Sequence, residues 1–166
     1  VTAEVEGSAA ALNAALKDAK VTDALTVTLT GTTATAKDLI ELATKTSSIV
    51  DASSIKTITG NAADVISSLS NTTLADNVAV TITGTVTIAD IAAIKAIAST
   101  GVIKATLEGS ATELATLTTS NSDLLTLKVT GTTATALELT TIDSKTSVVV
   151  NASAVKEITD NAANLK

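Results

Sequence analysis

A short phrase recurs along the chain, and it constrains the fold more than any other feature. Apolar and polar residues alternate over a few positions, a glycine follows, and a Ser, Thr or Asn then precedes a run with helical periodicity. The clearest copy occupies residues 79–84 and ends at Gly84. Alternation with a period of two is typical of a β-strand with one buried face, and a glycine lets the chain turn after it. Each copy therefore predicts a strand, a turn and a short helix.

The copies align on seven anchor positions, which are separated by 24, 29, 24, 25, 22 and 29 residues. These anchors are Gly7, Gly31, Gly60, Gly84, Gly109, Gly131 and Asp160. A longer period lies above this one: residues 26–65 align without gaps to residues 126–165, and 21 of these 40 positions are identical. We call each strand–turn–helix unit a rung, and four rungs make one superrepeat of 100 residues.

The residues after each anchor predict where the helices begin. A Ser, Thr or Asn follows each of the first six anchors, and in five of these units an Asp or Glu lies three residues later, which is the spacing of a capping box. The predicted caps are Ser8, Thr35, Asn61, Thr87, Ser110 and Thr135. A large aliphatic residue comes four positions after each cap, and after Asn161, and marks the buried stripe of the helix. These residues are Leu12, Leu39, Val65, Ile91, Leu114, Leu139 and Leu165.

Helices of two to three turns do not persist alone, so they must pack against the strands. Strands joined through a helix run parallel, and such crossovers are right-handed. The sequence therefore predicts one right-handed α/β solenoid over residues 1–166, with a parallel sheet on one side, short helices on the other, and about seven rungs of 22–29 residues. Lys56 and Lys156 stand where the pattern requires an inward apolar side chain. Either the strand begins after them or a β-bulge shifts the register there. We expect the late start, with Ile55 and Val155 in the core.

Composition excludes several classes of function. The chain has 33 Thr and 30 Ala, no Cys, His or aromatic residue, and Lys for all 11 of its basic residues. The lack of Cys and His removes thiol nucleophiles, imidazole metal ligands and the usual proton shuttle at neutral pH. We predict no enzyme and no catalytic residue. A net charge of −6 without a basic cluster argues against nucleic acid, and no apolar run is long enough to predict membrane insertion.

Residues 49–65 read Ile-Val-Asp-Ala-Ser-Ser-Ile-Lys-Thr-Ile-Thr-Gly-Asn-Ala-Ala-Asp-Val. This stretch resembles a repeat found in very large, repetitive proteins of marine picocyanobacteria, and the resemblance extends to the Gly-Thr-Thr-Ala-Thr-Ala segments at 31–36 and 131–136. It implies a secreted or cell-surface protein with a structural or adhesive role. We therefore expect a semi-rigid extracellular spacer whose partners are neighbouring repeats of the same chain. Its unpaired strand edges also favour end-to-end self-association.

A binding module is the alternative function. Threonines fall between the inward aliphatic residues of the strands, and a regular threonine array can bind a glycan, ice or a partner protein. The simpler interpretation is that Thr is a good solvent-facing strand residue. The threonines in question are Thr28, Thr30, Thr57, Thr59, Thr81, Thr83, Thr106 and Thr130.

Acidic residues offer two further interpretations. Ca²⁺ requires several oxygen ligands that converge from one loop, whereas the loop residues of this chain occur singly, so we predict no cofactor and regard Ca²⁺ as the one metal ion they could bind. These loop residues are Asp23, Asp51, Asp76, Asn77 and Asp123. Two carboxylate pairs are close in sequence, Glu4 with Glu6 and Asp38 with Glu41. We interpret both as surface charge and as complements to helix dipoles.

Overall fold

The computed structural model describes residues 2–97 and 100–160. In that part of the chain the protein is a mixed α/β structure with short helices and parallel strands. The helices are α1 (Ala9–Ala15), α2 (Ala36–Ala43), α3 (Ala62–Asn71), α4 (Ile88–Lys95), α5 (Ala111–Ala115) and α6 (Ala136–Asp143). The strands are β1 (Thr2–Gly7), β2 (Ala24–Leu29), β3 (Thr33–Thr35), β4 (Val50–Ala52), β5 (Thr57–Gly60), β6 (Thr72–Leu74), β7 (Val78–Ile82), β8 (Thr100–Gly109), β9 (Leu124–Val129), β10 (Thr133–Ala134) and β11 (Glu157–Ile158).

The helices begin where the caps predict. Each of the six N-cap side chains accepts a hydrogen bond from the backbone N–H three residues later. The reciprocal bond of a full capping box forms at Thr87, Ser110 and Thr135. These bonds satisfy amide groups that a helix start otherwise leaves without partners. The predicted cap at Asn161 and the predicted core residue Leu165 lie outside the described residues.

The predicted apolar stripes face the core. Leu39, Val65, Ile91 and Leu114 are fully buried, and Leu12 is 7% exposed. Leu139 is only half-buried, although it stands at the same place in its helix. Along the strands, the inward residues predicted from the alternation are buried as well; they are Val27, Leu29, Val80, Ile82, Leu127 and Val129. The core of the described residues is therefore built from Val, Ile, Leu and Ala.

All paired strands run parallel, as predicted, but they do not form a single sheet. One sheet has the order β1-β2-β4-β6, a second has the order β3-β5-β7-β8-β9, and β10 pairs with β11 alone. The prediction of one sheet was wrong because a rung can hold two strands. After Gly31 and Gly131 the chain continues in extended form through β3 and β10 before the helix begins. The second strand pairs with a different neighbour from the first.

The anchor glycines do not lie opposite one another. Gly7 pairs with Leu29, Gly60 with Ile82 and Gly109 with Val129. The register follows the apolar alternation of the strands, because a slip of one residue would turn every buried side chain outward. An alignment of the sequence on its glycines therefore does not give the register of the strands.

The glycines also serve different purposes. Gly84 has φ +78°, a conformation that L side chains rarely adopt. Gly60 instead lies close to its neighbour, and a Cβ built there would stand 2.7 Å from the Cβ of Ala36. At Gly131 neither condition holds, since the nearest atom would be 3.6 Å away. Only some anchors thus require glycine.

The predicted late start of the strand at Lys56 is confirmed. β5 begins at Thr57, Lys56 is exposed, and Ile55 is fully buried. The equivalent segment 100 residues later has the same late start: β11 begins after Lys156, and Val155 packs against the core. A register shift does occur, but between β7 and β8, where Val78 pairs with Thr100 and Val80 with Ile103.

Hydrogen bonds recur at the 100-residue offset. The buried hydroxyl of Thr46 accepts from the N–H of Leu25 at 3.0 Å and donates to its carbonyl at 2.7 Å. Thr146 makes the same pair of bonds with Leu125, at 3.0 and 2.8 Å. In these two return loops, a threonine hydroxyl thus holds the start of the preceding strand by two hydrogen bonds.

Candidate functional site

The predicted threonine array is divided by the strand register. In the second sheet Thr35 lies beside Thr59, and Thr59 lies beside Thr81. These three residues form the longest continuous threonine row along the paired strands that the structure describes, with a spacing of about 4.8 Å between neighbouring strands. Thr57 starts a shorter row, since its neighbours are Thr33 and Ala79.

Other predicted threonines lie apart from this row. Thr28 belongs to the first sheet, where its neighbours are Glu6 and Asp51. Thr106 pairs with Thr126 near the far end of the second sheet. Thr30, Thr83 and Thr130 follow the ends of strands and are exposed. The structure therefore does not bring the eight predicted threonines together in one regular array.

Charged residues end the threonine row. Lys104 is the next residue beside Thr81. Further along, both carboxylate oxygens of Glu108 lie 3.1 Å from Lys128 Nζ. At the other end of the row, the Thr35 hydroxyl is engaged in the helix cap, where it donates to Asp38 Oδ2 at 2.8 Å. A ligand would meet two free threonine hydroxyls, Thr59 and Thr81, and both of these residues are half-buried.

The candidate calcium ligands are not brought together. Within residues 2–97 and 100–160, no group of three or more acidic side chains is placed so that it could hold a metal ion. Asp51 accepts the N–H of Ser53 at 3.0 Å, and hydrogen bonds from the Ser53 side chain and backbone lower the pKa of Asp51. The N–H of Lys20 donates to Asp23, which lowers the pKa of that carboxyl group. These carboxylates stabilise their own loops.

Asp123 has the most distinctive environment among these acids, because its side chain is fully buried. Its Oδ1 accepts the N–H of Ile103 at 2.8 Å and lies 3.0 Å from Lys95 Nζ. Its Oδ2 accepts the N–H of Ser120 at 3.2 Å. A buried carboxylate needs such partners, since an unpaired charge in the interior is costly. Asp123 therefore joins the end of α4 to the strands β8 and β9.

The two carboxylate pairs do not form a hydrolytic site. Glu4 and Glu6 lie on β1 and are exposed. Asp38 accepts hydrogen bonds from the Thr35 cap and from Asn13 Nδ2, the latter at 3.2 Å. Glu41 instead lies 3.8 Å from Lys37 at the surface of α2. The geometry agrees with the interpretation of these groups as surface charge and cap partners.

Open grooves lie on the surface of the described residues. One of them has a volume of about 430 Å³ and is lined by Gly84, Thr85, Val86, Thr106 and Glu108. It holds one acid and no basic group. Among the described residues, no helix has the length and apolar character required to cross a membrane.

Comparison with models of protein families, with curated proteins and with solved structures finds no match to this chain.

Proposed function

We propose that this chain is a structural segment of a large extracellular repeat protein, in which it acts as a semi-rigid spacer. In this proposal the rungs stack as a right-handed α/β solenoid, and the chain extends along one axis as rungs are added. Its role is to hold apart whatever lies at its two ends. The resemblance of residues 49–65 and of the Gly-Thr-Thr-Ala-Thr-Ala segments supports a location outside the cell or at its surface.

One observation carries the proposal: equivalent polar groups, in side chains and backbone, make the same hydrogen bonds in both copies of the superrepeat. The hydroxyls of Thr46 and Thr146 each accept the N–H of a leucine at the start of a strand. The backbone N–H groups of Ser47 and Ser147 donate to the carbonyls of Asp23 and Asp123, at 2.9 and 3.0 Å. Polar groups that are used to hold neighbouring segments together are typical of a scaffold, since in repeat proteins each unit contacts only its neighbours.

Small-angle X-ray scattering on a lengthened chain tests this function. Residues 26–125 are duplicated in tandem, which preserves the register because the superrepeat is 100 residues long. Four added rungs should lengthen the particle by about 19 Å, at about 4.8 Å for each strand, with the cross-section unchanged. Growth in all directions, or the scattering of a flexible chain, would contradict the spacer.

The second candidate is a binding module. The row of Thr35, Thr59 and Thr81 favours it, because threonines on adjacent strands present a regular surface. Thermal hysteresis at millimolar protein concentration and binding to a glycan array would test the ice and glycan versions. The absence of both signals would remove them and leave the spacer.

A further inference from the structure

The packing of successive helices is interrupted at one place in residues 2–97 and 100–160. Helices α1, α2, α3 and α4 pack against one another in series, and α5 packs against α6, but α4 and α5 do not pack closely together. Helix α5 is also the shortest of the six described helices, with five residues where α4 has eight. Helix packing therefore stabilises the boundary between α4 and α5 less than it stabilises the others.

The strand pairing is weakened at the same boundary. The register shift separates the pair of Val78 and Thr100 from two further pairs, and the ladder ends at Thr81 with Lys104 although β8 continues to Gly109. By contrast, β8 and β9 are in register over six successive pairs. A bulge leaves backbone groups outside the ladder, so β7 is held to β8 by fewer ladder bonds than β9 is. We call the contact of β7 and α4 with β8 and α5 the β7–β8 boundary.

The backbone at the register shift is shaped by two residues. Asn77, directly before β7, has φ +60°, a left-handed conformation that asparagine adopts more readily than most residues. Gly101 of β8 approaches it so closely that a Cβ built there would stand 2.6 Å from the Asn77 carbonyl oxygen. The shift is therefore accommodated by a glycine beside a left-handed asparagine, and side chains do not fill the space between the two backbones.

Open grooves lie along the β7–β8 boundary. The groove of about 430 Å³ has Gly84, Thr85 and Val86 on the β7 side, and Thr106 and Glu108 on the β8 side. A second groove, of about 320 Å³, also has residues from both sides. It is lined by Asn77, Ala79 and Lys95 and, across the boundary, by Thr100, Gly101, Val102 and Ser122. The two sides are therefore in close contact mainly along the short ladder itself.

An ion pair crosses this boundary. Lys95, the last residue of α4, lies 3.0 Å from Oδ1 of Asp123, which belongs to the loop before β9. The same Oδ1 accepts the N–H of Ile103 at 2.8 Å, and Lys95 Nζ donates to the carbonyl of Gly101 at 3.3 Å. Both of these backbone groups lie at the register shift. The Lys95–Asp123 pair thus supplies hydrogen-bond partners where the ladder is disrupted.

We propose that the β7–β8 boundary is a hinge, at which the chain opens into two folded blocks, and that the Lys95–Asp123 pair holds it closed. The first block contains β1–β7 with α1–α4, and the second contains β8–β11 with α5 and α6. In a repeat array the stability is a sum of unit terms and interface terms, so the weakest interface opens first. A hinge lets a spacer bend without unfolding, and this use rests on the proposed function, whereas the opening itself does not.

Thiol labelling measures the opening, because the 166-residue chain has no cysteine of its own. Val80→Cys places a thiol on β7, where Val80 is 1% exposed, and Val50→Cys places one inside the first block, where Val50 is 0% exposed. In native buffer Val80→Cys should react about tenfold faster, because hinge opening uncovers β7 and leaves β4 covered. Its rate should also rise less steeply with urea, with less than about half the slope of Val50→Cys, because hinge opening exposes less surface than unfolding does.

The ion pair is tested in the Val80→Cys background. Lys95→Met should raise the labelling rate about fivefold and keep the urea slope shallow, because the closed state loses a partner of the buried carboxylate. Lys95→Arg keeps the cation and should stay within about twofold of the unsubstituted residue. Lys37→Met is the matched control: this side chain is 77% exposed and lies 3.8 Å from Glu41 at the surface, so its loss should change the rate less than about twofold. Circular dichroism confirms that each variant is folded.

Three results would overturn the inference. Equal rates and equal urea slopes for the two cysteines would mean that the boundary opens only when the whole chain unfolds. A steep slope at Val80→Cys alone would mean that the second block unfolds before β7 is uncovered. No response to Lys95→Met would mean that the ion pair does not hold the boundary closed. The scattering experiment on the lengthened chain measures shape and not opening, so the hinge and the spacer can fail separately.

Discussion

Lys95 Nζ lies 3.0 Å from Asp123 Oδ1, and the Asp123 side chain is fully buried while that of Lys95 is 24% exposed. The pair connects helix α4 to the loop before β9, and Asp123 also accepts the backbone N–H of Ile103. Among residues 2–97 and 100–160, this is the one ion pair between segments whose carboxylate is fully buried. Its partners on both oxygens offset the cost of that burial.

Asp123→Asn should destabilise the fold by about 3 kcal/mol, because it leaves the Lys95 ammonium facing a neutral group and removes an acceptor from Ser120 N–H. Lys95→Met should cost less, since two backbone donors still serve the carboxylate. Urea unfolding of the single and double variants checks this. Additive effects of the two substitutions, within about 0.5 kcal/mol, would show that the pair is not coupled.

The cap residues make a second prediction. Thr87→Ala should lower the free energy of unfolding by about 1 kcal/mol, because the N–H of Asp90 loses the acceptor that it has at 3.1 Å. Thr85→Ala, two residues earlier and exposed, should change it by less than about 0.5 kcal/mol. Thermal or urea unfolding of both variants provides the comparison. Equal losses would mean that the hydroxyl of Thr87 has no special role.

The anchor glycines should respond differently to alanine. Gly84→Ala should cost about 1–2 kcal/mol because of its positive φ, and Gly60→Ala about 1–3 kcal/mol because its Cβ would collide with Ala36. Gly131→Ala should be neutral or slightly stabilising, by up to about 1 kcal/mol, because alanine restricts the unfolded chain. Urea unfolding measures all three. Equal costs would support the idea that every anchor requires glycine.

Glu138 predicts a pH dependence of stability. Hydrogen bonds from the Thr112 hydroxyl, at 2.7 Å, and from the N–H and hydroxyl of Thr135 lower the pKa of Glu138 below its usual 4.5. Because the folded-state pKa is the lower one, this stabilisation is present above the unfolded-state pKa and is lost as pH falls through the folded-state pKa. The stability difference between the wild type and Glu138→Gln should therefore shrink below about pH 4.5. A difference that is constant down to about pH 2 would contradict this.

The sequence predicted local structure well because local signals determine it. The caps, the apolar stripes and the late strand at Thr57 follow from side-chain spacing alone. The strand register did not follow from spacing: an alignment on the glycines would place Gly60 opposite Gly84, whereas the structure pairs Gly60 with Ile82. Within the candidate site, the sequence predicted outward threonines on several strands, but it did not predict that Thr59 lies beside Thr81, because that pairing depends on the register.

The pairing of Lys95 with Asp123 carries no sequence signal. The register shift between β7 and β8, at Val78 and Val80, is likewise not visible in the apolar pattern. The sequence offered Asp123 as a candidate ligand for Ca²⁺ because it lies in a return loop. Its burial results from packing between segments that are distant in sequence.

Disulfide cross-linking between β5 and β7 tests the stacked arrangement most directly. The chain has no cysteine of its own that could form a competing disulfide. Thr59 and Thr81 are direct partners, with Cα atoms expected about 4.8 Å apart, within the range that a disulfide bridges. Thr83 lies two residues further along, about 8 Å from Thr59, and outside that range. On mild oxidation, Thr59→Cys with Thr81→Cys should form an intramolecular disulfide, detected by mass spectrometry, and Thr59→Cys with Thr83→Cys should not. The reverse result would place the glycines opposite one another and contradict the register described above.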